Sequence, residues 1–167
     1  MPFLRKPSPD AVRDFLAAQA KLGFTYAGVG ATATGPPSGY TVDRTRGKLG
    51  TGEGTFRAAV AALKNWKHFE LGWTQARPAD TPLEVGACVC VLARVVGLWW
   101  MNASRIVYTI DEDGPPGRFG FAYGTLPGHA ESGEERFLIE WNTADDDVWY
   151  ELFAFSRPRN PLARLAY

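Results

Sequence analysis

Within thirteen residues, Tyr123 to Glu135, the chain gathers a phenol, hydroxyls at Thr125 and Ser132, an imidazole at His129, and carboxylates at Glu131, Glu134 and Glu135. General acid/base catalysis needs such a set: an imidazole that titrates near neutrality and a carboxylate to orient it. On this reading His129 moves the proton, and Glu134 or Glu135 orients it. The competing reading is architectural, with His129 capping backbone carbonyls of a hairpin and Glu134 pinning the turn.

Charged residues inside apolar runs are the second signal, because a buried charge without a partner is costly. Arg105 precedes Ile106-Val107-Tyr108, and Arg157 follows Phe153-Ala154-Phe155-Ser156. Each is expected to pair with Glu134, Glu135 or Glu151. An arginine beside a tyrosine at a cavity mouth would also hold a ligand carboxylate. The glycine-rich stretch Leu49 to Gly54 lacks the lysine of a phosphate-binding loop and carries Glu53 where an anion would sit, so it reads as a helix-start turn. Cys88 and Cys90, with His68 and His129 as the two histidines, make a poor zinc set and read as small core side chains. No metal or other cofactor is expected.

The elements that must position these groups follow from periodicity. Ser8, Pro9 and Asp10 cap a first helix that places Val12, Phe15, Leu16 and Leu22 on one stripe and stops at Gly23. A strand is expected over 24–29 and another over 40–45. A second helix is expected over about 55–71, with Phe56, Ala59, Val60, Leu63 and Trp66 on its buried face. Strand-like runs then cover 83–96, 105–111, 118–126, 134–141 and 148–156. The turn-forming links DEDGPPG, LPGHAESG and NTADDD make the last four an antiparallel meander.

Alternation assigns faces. Phe119, Phe121 and Tyr123 share a side; Phe137 and Trp141 share one with Glu135; Trp149, Phe153 and Phe155 share one with Glu151 and Arg157. A curved sheet with one aromatic concave face, closed by the helix bearing Trp66, would enclose an apolar pocket with a few polar groups. The expected ligand-binding set is Tyr40, Trp66, Tyr108, Phe119, Phe121, Tyr123, Glu135, Phe137 and Arg157, with Trp141 and Phe153 on the apolar wall. His129 and Glu134 are the candidate catalytic pair. The leading expectation is a domain that binds a small apolar or amphipathic molecule. The alternatives are an enzyme using His129, and a protein-interaction module built on Trp99-Trp100.

A single α+β domain over 1–167 fits the length. The 46% apolar and 13% aromatic content excludes disorder, and a formal net charge of zero disfavours a nucleic-acid partner. The longest apolar stretch, Val85 to Met101, is broken by Gly86, Arg94 and Gly97, so no membrane span and no export signal are expected and a cytoplasmic setting follows. Oligomeric state is not legible.

The order of motifs PPSGYTVDRTRGKLGTGEGTFRAAVAALKNWKHFELGW, RIVYTIDEDG, FGFAYGTLPGHAESGEERFLIEW and VWYELFAFSRPRNPLARLAY resembles the family catalogued as domain of unknown function 1990, or uncharacterised protein family 0548. The resemblance runs from about Tyr26 to Tyr167. It brings no established activity. It implies a compact soluble domain whose signature residues include Tyr40, Asp43, Gly50, Gly52, Phe56, Trp66, Tyr108, Tyr123, Thr125, His129, Glu134, Glu135 and Arg157. It also implies a further helix after Ser156-Arg157-Pro158, a segment this chain ends at Tyr167. The balance of strands and helices is similar to the START-like helix-grip architecture of lipid-transfer and polyketide-cyclase domains, with a calycin-like β-barrel as the alternative.

Overall fold

A computed structural model describes residues 2–159. The chain after the last strand, where a closing helix was expected, lies outside the described residues. Eight strands form one antiparallel sheet: β1 Pro2–Phe3, β2 Thr41–Thr51, β3 Thr74–Arg77, β4 Cys88–Val95, β5 Leu98–Glu112, β6 Gly117–Thr125, β7 Glu131–Trp141 and β8 Asp147–Pro158. From β3 to β8 the strands neighbour one another in chain order, as short turn-rich links dictate. The early strand β2 adds beyond β8, giving the order β2-β8-β7-β6-β5-β4-β3, and β1 pairs with the start of β5. The sheet curls into a half-barrel whose two edges, β2 and β3, stay unpaired with each other among the described residues.

Among the described residues three α-helices, α1 Pro9–Gln19, α2 Ala31–Thr34 and α3 Gly52–Lys64, and a single 3-10 turn, Lys67–Phe69, complete the fold. Ser8 caps α1 by accepting from the Ala11 amide at 3.2 Å. This helix lays Val12 and Leu16 on the convex side against Cys90, Leu92, Ala103 and Leu126. Cys88 and Cys90 are free thiols there, and burial pushes Cys90 up to about 12. α3 carries the chain from β2 across the concave side, packing on β2, β6, β7 and β8. Its Phe56 and Leu63 meet Phe119, Phe121, Phe137, Ile139 and Val148 in the main core. Burying each such aromatic side chain is worth about 1.5–3 kcal/mol.

The structure corrects several expectations. The second helix stops at Lys64 instead of continuing to 71: Asn65 folds its side-chain amide back onto the Ala61 carbonyl at 2.8 Å, and Trp66 takes a left-handed φ of 56°. That backbone conformation costs about 1–2 kcal/mol for a non-glycine residue. It is offset by full burial of the indole, whose Nε1 donates to the Thr81 carbonyl at 2.8 Å. Residues 24–29 form no strand; the Thr25 amide donates once to the Thr125 carbonyl, and the chain then turns into α2. The strand expected over 105–111 begins seven residues earlier, so Trp99-Trp100 lies inside β5. The glycine-rich stretch does lead from strand to helix, since β2 runs to Thr51 and α3 begins at Gly52.

Candidate functional site

Register decides which residues meet. Phe121 lies opposite Phe137, which lies opposite Leu152, so Phe153 and Phe155 fall on the other face of the sheet. Phe153 is therefore not on the aromatic concave wall: it packs under the guanidinium groups of Arg44 and Arg136 on the convex side. A bulge between Ile106 and Tyr108 reverses the alternation of β5, so Ile106 joins the concave core while Tyr108 faces outward. There its hydroxyl lies 2.7 Å from Thr32 Oγ1. The expected binding set, together with the candidate catalytic Glu134, thus splits three ways. Tyr40, Tyr108, Glu134 and Arg157 belong to the convex side; Trp66, Phe119, Phe121 and Phe137 are packed solidly in the core; Tyr123 and Glu135 reach open space on the concave side.

Glu134 is 2% exposed and accepts from the Tyr26 hydroxyl (2.7 Å), the Gly30 amide (2.6 Å), the Thr32 amide (2.9 Å) and the Thr32 hydroxyl (2.5 Å). With its lone pairs so engaged it holds the 26–32 segment to the sheet, and it does not orient His129. Gly124 makes room for this contact, because a Cβ there would collide with the Tyr26 hydroxyl. Neither arginine pairs as expected. Arg105 donates to the Ala20 and Leu22 carbonyls just past α1, and Arg157 lies over the Tyr40 ring at 4.8 Å. Glu151 is bridged instead by Arg44 and Arg136, which outweigh its burial and hold its carboxyl below the usual range.

At the β6–β7 end of the half-barrel, past the reach of α3, the concave face opens into two clefts. The first, of about 510 Å³, is polar: Tyr123, Glu131 and Glu135 line it from β6 and β7, and Thr41, Asp43 and Ser156 from β2 and β8. The second, of about 300 Å³, is apolar, walled by Phe69, Trp73, Val91, Val95 and Trp100. His129 and Glu131 border both. Trp99 points to the opposite face, toward the α1 cluster, so the tandem tryptophans do not form one patch.

Burial and the nearby carboxylates of Glu131 and Asp43 push Glu135 up to about 7, while the Tyr123 hydroxyl, donating to it at 2.8 Å, pulls it back down. Burial also raises Glu131, against the hydrogen bond from Ser156. His129 is held at about 4 by burial and by Arg159. Its Nδ1 accepts the Glu131 amide at 3.0 Å, so the neutral ring carries its proton on Nε2. Among the described residues no carboxylate bonds to His129, and no lysine or arginine lines the polar cleft. Nor does any group of three or more His, Cys, Asp and Glu among them have the arrangement to hold a metal ion.

Sequence reasoning missed the apolar cleft. Trp73 precedes a strand too short to show alternation, and Trp100 drew notice only as a surface feature. Asp43 stood among the resemblance's signature residues without a role.

Fold and site together define a half-barrel α+β protein with a two-lobed cleft at its open end. Residues 25–167 match the family described as Domain of unknown function (DUF1990), and the chain belongs to that family. It is 39% identical to a UPF0548 protein of Dictyostelium discoideum over 98% of this chain and 84% of the relative. It is also 39% identical to one of Deinococcus radiodurans over 98% and 86%. A UPF0548 protein of Arabidopsis thaliana is 38% identical over 77% of this chain and 63% of its own length. No solved structure matches significantly. No helix among the described residues is long and apolar enough to cross a membrane.

Proposed function

We propose that the protein binds a small amphipathic molecule across the two clefts at the open end of the half-barrel. The observation that carries this is their junction: an apolar cleft walled by Trp73, Trp100 and Val91 and a polar one holding Tyr123 and Glu135 share His129 and Glu131. Together the volumes fall in the range of small-molecule sites, roughly 300–1,000 Å³. The apolar body lies against the indoles, and a polar head reaches His129, Glu131 and Glu135. The curled sheet with α3 across its hollow is consistent with the helix-grip analogy, which points to the same kind of ligand.

The neutral fluorophore 1-N-phenylnaphthylamine tests the apolar lobe. Its emission is expected to rise saturably with one equivalent of protein. Ala93→Trp, which fills that lobe from a partly exposed position on β4, is expected to abolish the rise while leaving the melting temperature within a few degrees. A linear, unsaturable signal, or one indifferent to a folded Ala93→Trp, overturns the reading.

A further inference from the structure

The arrangement of donors and acceptors along the cleft says what the bound molecule undergoes. In order, it presents indole walls, then His129 and Glu131 at the junction, then the Tyr123–Glu135 pair. At the junction the free donor is a neutral imidazole N–H, because the Glu131 amide occupies His129 Nδ1. In the polar lobe one carboxyl oxygen of Glu135 is fixed by the Tyr123 hydroxyl at 2.8 Å, and its Oε1 has no partner among the described residues and is not sealed from the cleft. A carboxylate and a neutral imidazole donor that line one cleft can together remove a proton next to a carbonyl group: one takes the proton, the other holds the oxygen.

We propose that Glu135 is a general base acting on an amphipathic ketone, taking a proton from the carbon next to the carbonyl while His129 Nε2–H holds the carbonyl oxygen. This rests on the ligand-binding reading of the cleft. The C–H bond breaks and its electron pair forms the C=C of the enolate. The carbonyl π pair moves onto oxygen, and Glu135 keeps the proton until it returns it to the same carbon or to a conjugated one. Nothing is oxidised or reduced, so isomerisation or hydrogen exchange is the whole reaction. The acidic surroundings serve both halves. Glu131 and Asp43 strengthen the base by repulsion, and they penalise a bare enolate, so the hydrogen bond from His129 is needed as charge reaches the oxygen. Tyr123 is a positioning residue that fixes the carboxyl plane.

The probe is 2-decanone, whose alkyl tail suits the indole walls and whose C1 methyl then reaches Glu135. In deuterated buffer, proton NMR is expected to show the protein speeding deuterium uptake at C1 over C3. The rate should rise with pH through a midpoint near 7 as the carboxylate forms. Glu135→Gln is expected to lower it at least about 100-fold, while 1-N-phenylnaphthylamine still saturates the apolar lobe, which shows the variant folded. Tyr123→Phe, which removes the hydrogen bond that lowers Glu135, should move the midpoint upward; a merely structural role would leave it in place. His129→Ala should slow exchange without moving it. Failure of the fluorophore to bind sinks the binding reading itself. A bound fluorophore that 2-decanone does not displace, or displacement without exchange above buffer, overturns the ketone proposal alone.

Discussion

His68 carries a desolvation cost on both sides of its ring. Both of its ring nitrogens are buried without a partner, in a nest of Phe69, Phe137, Trp66 and Phe121. Burial holds its pKa at about 3 against an ordinary 6.5, so the folded protein keeps it neutral while the unfolded chain protonates it. Its contribution to stability is complete above pH 6.5 and drains away as pH falls from there toward 3, by about 2 kcal/mol at pH 5. His68→Phe should flatten that acid slope and raise stability at pH 7; denaturant melts of both proteins between pH 4.5 and 7.5 measure it, and parallel slopes would contradict it. His129, also held low, acts in both proteins alike and drops out of the difference. At this scale the sequence singled out a stretch from which Tyr123, His129, Glu131 and Glu135 line the polar cleft, but not which way each residue faces. Two adjacent glutamates on a strand must face opposite ways, and only the register says which faces the cleft. Glu135 does, while Glu134 is consumed by the 26–32 segment.

Elements with strong local signals were legible. Ser8-Pro9-Asp10 starts α1 as expected, and the links rich in Gly, Pro and Asp mark the hairpins from β5 to β8. What could not be read is set by contacts distant in sequence: the end of α3 at a left-handed tryptophan, the bulge that turns Tyr108 outward, and the strandless path of 24–30. That last path owes its place to one side chain more than to its own propensity. Glu134→Ala would strip three backbone or hydroxyl donors and the Tyr26 phenol of their acceptor, leaving buried groups unpaired at a cost of about 3 kcal/mol. The loss should be local as well as global. Hydrogen exchange at the Gly30 and Thr32 amides is expected to rise by a larger factor than at β6 amides; equal protection of Gly30 and Thr32 in the variant would show that the segment stands without Glu134.

For the molecule as a whole, the sheet is a meander from β3 to β8 with the short β1 added on β5 and the long β2 added on β8, and the second addition matters. β2 lies along β8, with Thr41 opposite Ser156 and Asp43 opposite Ala154, so a strand from the first third of the chain is completed by the last one. Pairing between such distant segments is slow, because the intervening chain must be ordered first. Curvature follows the same logic, since α3 is tethered to β2 and must cross the hollow before β3 can begin the other edge. On refolding, tryptophan fluorescence is expected to recover earlier than binding of 1-N-phenylnaphthylamine, whose recovery should coincide with the slowest phase; simultaneous recovery would argue against this order. The wall of the polar cleft formed by Thr41, Asp43, Ala154 and Ser156 has a history as well as a shape. On the ribosome, β2 would wait with a bare edge until β8 had emerged, and arginines 44 and 46 with Lys48 would keep that edge from joining a neighbouring nascent chain.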